Sequence, residues 1–187
     1  MVSTSEFKKG LKIVYKGEPY EIIDFQHVKM QQRAPIVRTK IKNLKTGRVL
    51  EENFSSGDKF EKPELEERQM QYLYAQGDSC VFMDMESYEQ VTIPRQVIGD
   101  AIYYIKEEMM VDMIYYKGEP LVIEPPMFVE LRVADTEPAF KGDTASGGTK
   151  PARLETGLTV KVPFHIQTGD LLKIDTRTGE YIEKVKE

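Results

Sequence analysis

The chain has 187 residues, 40% of them hydrophobic, and a formal net charge of −5 at pH 7. This length and composition allow one large domain or several small ones with buried cores, and they exclude a chain that is disordered by composition. No apolar run approaches the roughly 20 residues that span a bilayer, and the first residues lack the apolar core of an export signal. The single cysteine, Cys80, excludes an internal disulfide, and we therefore expect a cytoplasmic protein.

Charge is unevenly distributed along the chain. Residues 1–64 have 13 basic and 9 acidic side chains, whereas residues 65–128 have 4 basic and 12 acidic ones. Residues 129–187 are nearly balanced, with 9 basic and 10 acidic side chains. A basic first third and an acidic middle third would orient the molecule near a polyanion, because the acidic part is repelled.

Most segments are typical of β-strands, because they are rich in β-branched and aromatic residues and are separated by turn signals such as Lys16-Gly17. The predicted strands cover residues 11–15, 20–25, 36–44, 49–54, 69–75, 80–84, 89–93, 113–116, 119–123, 128–135, 152–156, 159–163, 171–176 and 180–185. A short helix is predicted over 93–105, where Pro94 suits a first helical turn. Residues 137–151 are dense in Gly, Pro and Thr and predict a loop.

One stretch of the sequence occurs twice. YKGEPYEI at 15–22 recurs as YKGEPLVI at 116–123, which indicates two domains of similar plan. Short strands separated by turns at this spacing are typical of small barrels. We therefore predict an all-β protein of three small barrels in tandem, with domains at 1–64, 65–128 and 129–187.

The sequence offers little for catalysis. It has no Gly-x-Ser-x-Gly elbow, Walker phosphate loop or His-Glu-x-x-His motif, and its two histidines form no Cys/His pattern with zinc spacing. The Gly-rich segment 140–150 is not followed by an apolar helix, so a surface loop is favoured over a phosphate cradle. Contact of Asp143 and Thr144 with nucleic acid is the alternative there. We predict that the protein is not an enzyme, and we assign no catalytic residue, metal or cofactor.

The strongest binding signal is a basic stretch in the first third. Residues 25–50 contain seven Lys or Arg and no Asp or Glu. Because side chains alternate along a strand, Arg38, Lys40 and Lys42 share one face and, with Lys29, suit a row of RNA phosphates. Protection of an edge strand by lysine explains the lysines but not the absence of acids. Between the two predicted strands stands MQQRA, where a tight turn usually has Gly or Asn.

Motifs in a fixed order cover nearly the whole chain. They are FKKGLKI at 7–13, GEPYEII at 17–23, VRTKIKNLKTG at 37–47, YLYAQGDSCVFMDMESYEQ at 72–90, IGDAI at 98–102, PPMFVELRVADTEPAFKGDTASGGTKPARLETGLTVKVP at 125–163 and GDLLKIDTRTGEYIEKV at 169–185. In this order and coverage the sequence resembles bacterial elongation factor P.

The resemblance implies an SH3-like, KOW-type N-terminal barrel followed by two OB-fold barrels, with an L-shaped outline similar to a tRNA. It implies a translation elongation factor that binds the ribosome between the peptidyl and exit tRNA sites and relieves stalling at consecutive prolines. The N-terminal hairpin would reach the CCA end of the peptidyl-tRNA. The implied partners are therefore ribosomal RNA and peptidyl-tRNA, and a monomer without membrane contact is expected.

At the hairpin tip the resemblance assigns Gln31, Gln32 and Arg33 to contact with the CCA end. Gln32 stands where the family usually has a modified Lys or Arg, and it has no amine or guanidinium to carry either modification. Three interpretations stay open. Gln32 works unmodified through its amide; a shifted register presents Arg33 as the tip or as the target of a modifying enzyme; or the protein is a divergent paralogue with another ribosomal role.

In the last domain the resemblance assigns Gly142, Asp143 and Thr144 to a loop near the exit-site codon. It matches Arg177 and Tyr181 to a terminal stretch near the small subunit, although a turn cation and a strand aromatic explain them nearly as well. Two other functions compete with the ribosomal one. They are a generic single-stranded RNA-binding OB protein, which usually has a basic groove with stacked aromatics, and a scaffold that binds proteins through the acidic middle third.

Overall fold

The computed structural model describes residues 1–139 and 147–187, and there the chain is built mainly from strands. The strands are β1 Val2–Ser3, β2 Lys12–Tyr15, β3 Glu18–Met30, β4 Arg33–Asn43, β5 Val49–Ser55, β6 Lys59–Phe60, β7 Leu65–Gln76, β8 Ser79–Asp84, β9 Gln90–Pro94, β10 Met110–Tyr116, β11 Glu119–Glu124, β12 Phe128–Thr136, β13 Thr149–Leu154, β14 Thr159–Pro163, β15 Leu171–Asp175 and β16 Glu180–Lys184. The helical segments are 3₁₀ turns at Thr4–Glu6 and Gly99–Tyr103 and the helix α1 at Arg95–Ile98. No helix of the described residues is long and apolar enough to cross a membrane.

Two predicted elements differ from the structure. The helix expected over 93–105 is split, because Gly99 has a φ of +57° and ends α1 after Ile98. The loop expected over 137–151 ends earlier, since β13 begins at Thr149. All other predicted strands are present, and every pairing between them that the structure records is antiparallel. The all-β prediction is confirmed.

The described chain divides into two units, residues 1–66 with 114–122 and residues 67–113 with 123–187. In the first unit, β2, β3, β4 and β5 form an antiparallel sheet in sequence order, and β1 pairs with β6. Side chains alternate along β4, so that Val37, Thr39 and Ile41 are buried while Arg38 and Lys40 between them are exposed. The core of this unit consists of Val2, Phe7, Ile13, Tyr20, Ile22, Val37, Ile41 and Phe54.

Both copies of the repeated stretch form the same turn. Lys16 and Gly17 have φ values of +51° and +77°, and Lys117 and Gly118 have +51° and +80°. Positive φ at both central residues is characteristic of the type I′ hairpin turn, whose twist matches that of its flanking strands. The repeated sequence therefore forms the same hairpin turn at two places, between β2 and β3 and between β10 and β11.

The remaining strands form two five-stranded sheets, in the orders β11-β10-β7-β8-β9 and β14-β13-β12-β15-β16. Alternation along β12 and β13 again buries one face of the last sheet. Its core consists of Val129, Leu131, Val133, Ala152, Leu154, Val160, Val162, Ile166, Leu172 and Ile174.

Candidate nucleic-acid interface

Strands β3 and β4 form a long hairpin, here called the arm (residues 18–43), that ends in a two-residue turn. Met30 pairs with Arg33, which leaves Gln31 and Gln32 as the turn residues. Neither glutamine has a positive φ. The turn is therefore not of type I′, and it does not need the Gly or Asn that the sequence lacks there. The predicted tip residues lie together, and all residues from 29 to 35 are exposed.

Near its tip the arm contains a β-bulge. Val28 pairs with Ile36 and Met30 pairs with Arg33, so two residues of β4, at positions 34 and 35, face the single Lys29. One of them is Pro35, which fits a bulge because no ladder hydrogen bond requires its missing N–H. Its carbonyl accepts a hydrogen bond from the Ser56 N–H at 3.0 Å. Since a bulge bends its strand, this one sets the direction of the tip.

Three cations lie on the exposed face of the arm, in the alternation expected for β4: Arg38, Lys40 and Lys42. The strand register, however, places Asp24 of β3 and Glu51 of β5 on either side of Lys40. Sequence reasoning missed both carboxylates, because they lie just outside the acid-free stretch. Only the pairing of three strands brings them beside the cations, so the face is mixed in charge rather than uniformly basic.

At the other end of the chain, Arg177 is held by a carboxylate. Its Nε donates to Oδ1 of Asp175 at 3.1 Å and its Nη2 donates to Oδ2 at 2.8 Å. These bonds to the guanidinium hold the pKa of Asp175 below its usual value. The Arg177 side chain stays 60% exposed, whereas Tyr181 packs against the core of the last sheet. The predicted loop residues Gly142, Asp143 and Thr144 lie outside the described residues.

The remaining candidates for a metal or catalytic site are the other reactive side chains that the structure describes. In the part of the chain that the structure describes, no three His, Cys, Asp or Glu side chains are arranged to hold a metal ion. Cys80 is buried, and its thiol donates to the Tyr72 hydroxyl at 3.6 Å. Burial is the main cause that raises the pKa of Tyr72. Both residues are part of a core rather than of a reactive centre.

Comparisons with known proteins give the family. Three family models match successive parts of the chain, the KOW-like domain of elongation factor P at 3–60, its OB domain at 65–123 and its C-terminal domain at 129–184. Elongation factor P of Thermodesulfovibrio yellowstonii is 90% identical over 187 residues, the full length of both chains. Elongation factor P of Natranaerobius thermophilus is 52% identical over 186 residues, which are 100% of this chain and 99% of the relative. The chain belongs to the elongation factor P family.

Membership in the elongation factor P family confirms the predicted architecture of a KOW-like, SH3-type domain followed by OB-type domains. It also confirms the predicted function, a ribosome-associated translation factor that relieves stalling at consecutive prolines and is not an enzyme. A solved structure titled eukaryotic translation initiation factor 5A from Methanococcus jannaschii is similar in fold. It is 24% identical, has a TM-score of 0.55, and the match covers 66% of this chain and 93% of that one.

Proposed function

We propose that this member of the elongation factor P family binds between the peptidyl and exit tRNA sites and places the tip of its arm against the CCA end of the peptidyl-tRNA. The observation that carries the proposal is the exposed end of the arm. Val37 is the last buried residue of β4 before the tip, and four residues further along the strand, at about 3.4 Å each, take Arg33 about 14 Å beyond it. An arm with such an extension can contact a target with its tip alone.

The arm acts by positioning rather than by chemistry. Proline is a poor partner in peptide-bond formation, because its ring fixes φ and restricts the path of the nascent chain. Holding two reacting groups in productive geometry removes an entropic part of the barrier that reaches about 7–11 kcal/mol in well-oriented systems. A tip that contacts the tRNA end therefore accelerates the reaction while the ribosome supplies the catalytic groups.

Gln32 is the tip residue in this proposal, and it works unmodified. Its place in the turn supports this role, since Arg33 already belongs to β4 and pairs with Met30. A glutamine amide both donates and accepts hydrogen bonds, which suits ribose and base edges. Arg33 is exposed directly beside the turn, so it is the second candidate for the tip and the residue that a modifying enzyme would reach.

The remaining proposals concern the rest of the chain. Domain boundaries near residues 64 and 128 are supported by the gaps between β6 and β7 and between β11 and β12. Lys29, with the cations of β4, contacts RNA phosphates, and Arg177 contributes on the side of the small subunit. The loop at 142–144 and Tyr181 belong to the same proposed contact. The factor acts as a monomer in the cytoplasm, where bacterial ribosomes work.

A crosslink tests the position of the tip. Met30 is 41% exposed, so it tolerates replacement by a photoreactive phenylalanine analogue in the full chain. On ribosomes stalled at consecutive prolines, we expect this variant to crosslink to the 3′-terminal nucleotides of the peptidyl-tRNA. The same analogue at Met110, which is 37% exposed on β10, is the control and should not. Crosslinking of both variants to the same RNA, or of neither to the tRNA end, would contradict the proposed position.

A further inference from the structure

Three polar side chains form a row across the exposed face of the first sheet. Arg38 of β4 pairs with Gln26 of β3 on one side and with Asn53 of β5 on the other. Paired residues of antiparallel strands present their side chains on the same face. All three residues are exposed. The row therefore offers one guanidinium between two neutral amides.

The next row of the same face is different. Lys40 lies between Asp24 and Glu51, so this row has a net charge of −1. Asp24 has a second cationic neighbour, since Lys9 Nζ lies 3.9 Å from its Oδ1. A continuous line of phosphates along β4 would meet these carboxylates. Arg38 is consequently the cation of this face best placed to bind a phosphate.

A hollow joins the two rows. Its volume is about 220 Å³, and its lining residues are Asp24, Phe25, Gln26, Arg38, Lys40 and Glu51. The hollow thus combines two cations, two carboxylates and one amide within a single depression. An isolated phosphate does not need carboxylate acceptors, so the lining suits a larger ligand that presents both a phosphate and hydrogen-bond donors.

We propose that this hollow binds one unpaired RNA nucleotide whose base presents an amino group, adenine or cytosine. Arg38 binds the phosphate, Gln26 contacts the base edge, and Glu51 with Asp24 accepts hydrogen bonds from the amino group. Asn53, which pairs with Arg38 but is not part of the lining, contacts the ribose. The proposal deepens the proposed function, on which it rests, by naming the partner of the outer face of the arm. It refines the proposed phosphate contacts of β4, because at this hollow a single phosphate at Arg38 is followed by a base.

The carboxylates give the preference for an amino group its physical reason. An ionised carboxylate only accepts hydrogen bonds. Cytosine presents an amino donor at the position where uracil presents a carbonyl acceptor. A uracil in the hollow would therefore place its carbonyl oxygen against a carboxylate, so that neither acceptor has a donor. A site whose buried polar groups are left unpaired by one ligand discriminates strongly against that ligand.

Binding of two matched oligonucleotides tests the proposal without ribosomes. The full chain, labelled with ¹⁵N, is titrated at low salt with the tetraribonucleotides CCCC and UUUU, whose bases differ in this amino-to-carbonyl exchange. We expect the side-chain amide signals of Gln26 and Asn53 to move with CCCC, and its affinity to exceed that of UUUU by about fivefold or more, as for one good base contact. Equal affinities, or signals that do not move, would overturn the proposal.

Two substitutions with a control separate the proposal from general charge attraction. Arg38→Gln should abolish most of the binding, whereas Arg48→Gln, which removes the same charge from the exposed turn after β4, should change it less than about twofold. Glu51→Gln removes a negative charge, so charge attraction alone predicts equally tighter binding of both oligonucleotides. We expect instead that the preference for CCCC disappears. An undiminished preference in Glu51→Gln, or equal losses in the two arginine variants, would refute the site.

Chemical probing on the ribosome then shows whether the bound nucleotide belongs to the tRNA end or to ribosomal RNA. Dimethyl sulfate modifies the base edges of adenine and cytosine, so a nucleotide in the hollow is protected by the wild type and not by Glu51→Gln. Protection of a base at the tRNA end or in ribosomal RNA supports the site and identifies the RNA that supplies the nucleotide. Equal modification in the presence of wild type and of Glu51→Gln counts against the site. Failure of the site leaves relief of stalling by the tip intact, so the two proposals fail independently.

Discussion

Replacing Gly179 by alanine gives a prediction whose magnitude follows from the structure. Gly179 lies in the turn before β16, has a φ of +77°, and donates its N–H to the Asp175 carbonyl at 2.8 Å. A Cβ at this position would lie 2.9 Å from the hydroxyl oxygen of Tyr104. Tyr104 is half-buried and packs against the core of the last sheet, so a shift of its ring disturbs that packing.

Two contributions determine the expected loss. A side chain in the left-handed region costs about 1 kcal/mol, and displacement of a packed neighbour costs about 1–3 kcal/mol more. We therefore expect Gly179→Ala to lower the free energy of unfolding by about 2–4 kcal/mol. Gly47 is the matched control, because it has a φ of +76°, donates to Asn43 at 2.8 Å in the same kind of turn, and has no atom within 4 Å of its would-be Cβ. Gly47→Ala should cost only about 1 kcal/mol.

A double-mutant cycle isolates the contact. Urea unfolding of the full chain is followed by the NMR signals of the last sheet, for Gly179→Ala with Tyr104 intact and with Tyr104→Phe, which removes the hydroxyl oxygen. We expect the penalty in the Tyr104→Phe background to fall to about 1 kcal/mol, the cost of the backbone conformation alone. An equal penalty in both backgrounds would refute the steric explanation.

Three further predictions concern the core, the terminal ion pair and the tip. Ile41→Ala should lower the free energy of unfolding, measured in urea, by about 2–5 kcal/mol, since Ile41 is fully buried. Lys40→Ala on the exposed face should change it by less than about 0.5 kcal/mol; similar losses in the two variants would contradict the burial pattern. The pKa of Asp175 is lowered in the folded state by Arg177. The stabilisation by this ion pair is therefore present at pH values above the ordinary aspartate pKa near 4, and it is lost as the pH falls through the lowered pKa. The difference in the free energy of unfolding between wild type and Asp175→Asn should narrow from about pH 5 to pH 2; a constant difference would argue against the ion pair. Trypsin should release residues 30–33 from the cellular protein with the mass of unmodified MQQR, and a heavier peptide or a missed cleavage at Arg33 would show a modified tip.

Local sequence patterns were sufficient for most of the fold. Alternation in IVRTKIKNL identified both the buried face and the exposed cations of β4, because the side-chain period of a strand is a local property. The Lys16-Gly17 pair marked a turn between strands, because Gly adopts positive φ readily. The split of the predicted helix depended on Gly99, whose backbone conformation does not follow from residue spacing.

The charge environment of the arm was not accessible from the sequence alone. Asp24 and Glu51 are 27 residues apart in the chain, and they flank Lys40 only because β3, β4 and β5 pair in one register. That register depends on a bulge at Ile23 as well as on the one at Ala34-Pro35, and single-residue shifts of this kind leave no periodic signal. A count over residues 25–50 therefore gave a purely basic stretch, although the exposed face of the arm is mixed in charge.

Translation of a message with three consecutive proline codons tests the function of the tip most directly. The yield of full-length product is measured in a reconstituted bacterial system with unmodified recombinant protein, with Gln32→Ala and Arg33→Ala, and with Gln76→Ala as the control at an exposed glutamine of β7. We expect the wild type and Gln76→Ala to relieve the stall, Gln32→Ala to lose most of the relief, and Arg33→Ala to retain more of it. An unmodified wild type that leaves the ribosomes stalled, or a Gln32→Ala variant that relieves them fully, would contradict an unmodified Gln32 as the working tip.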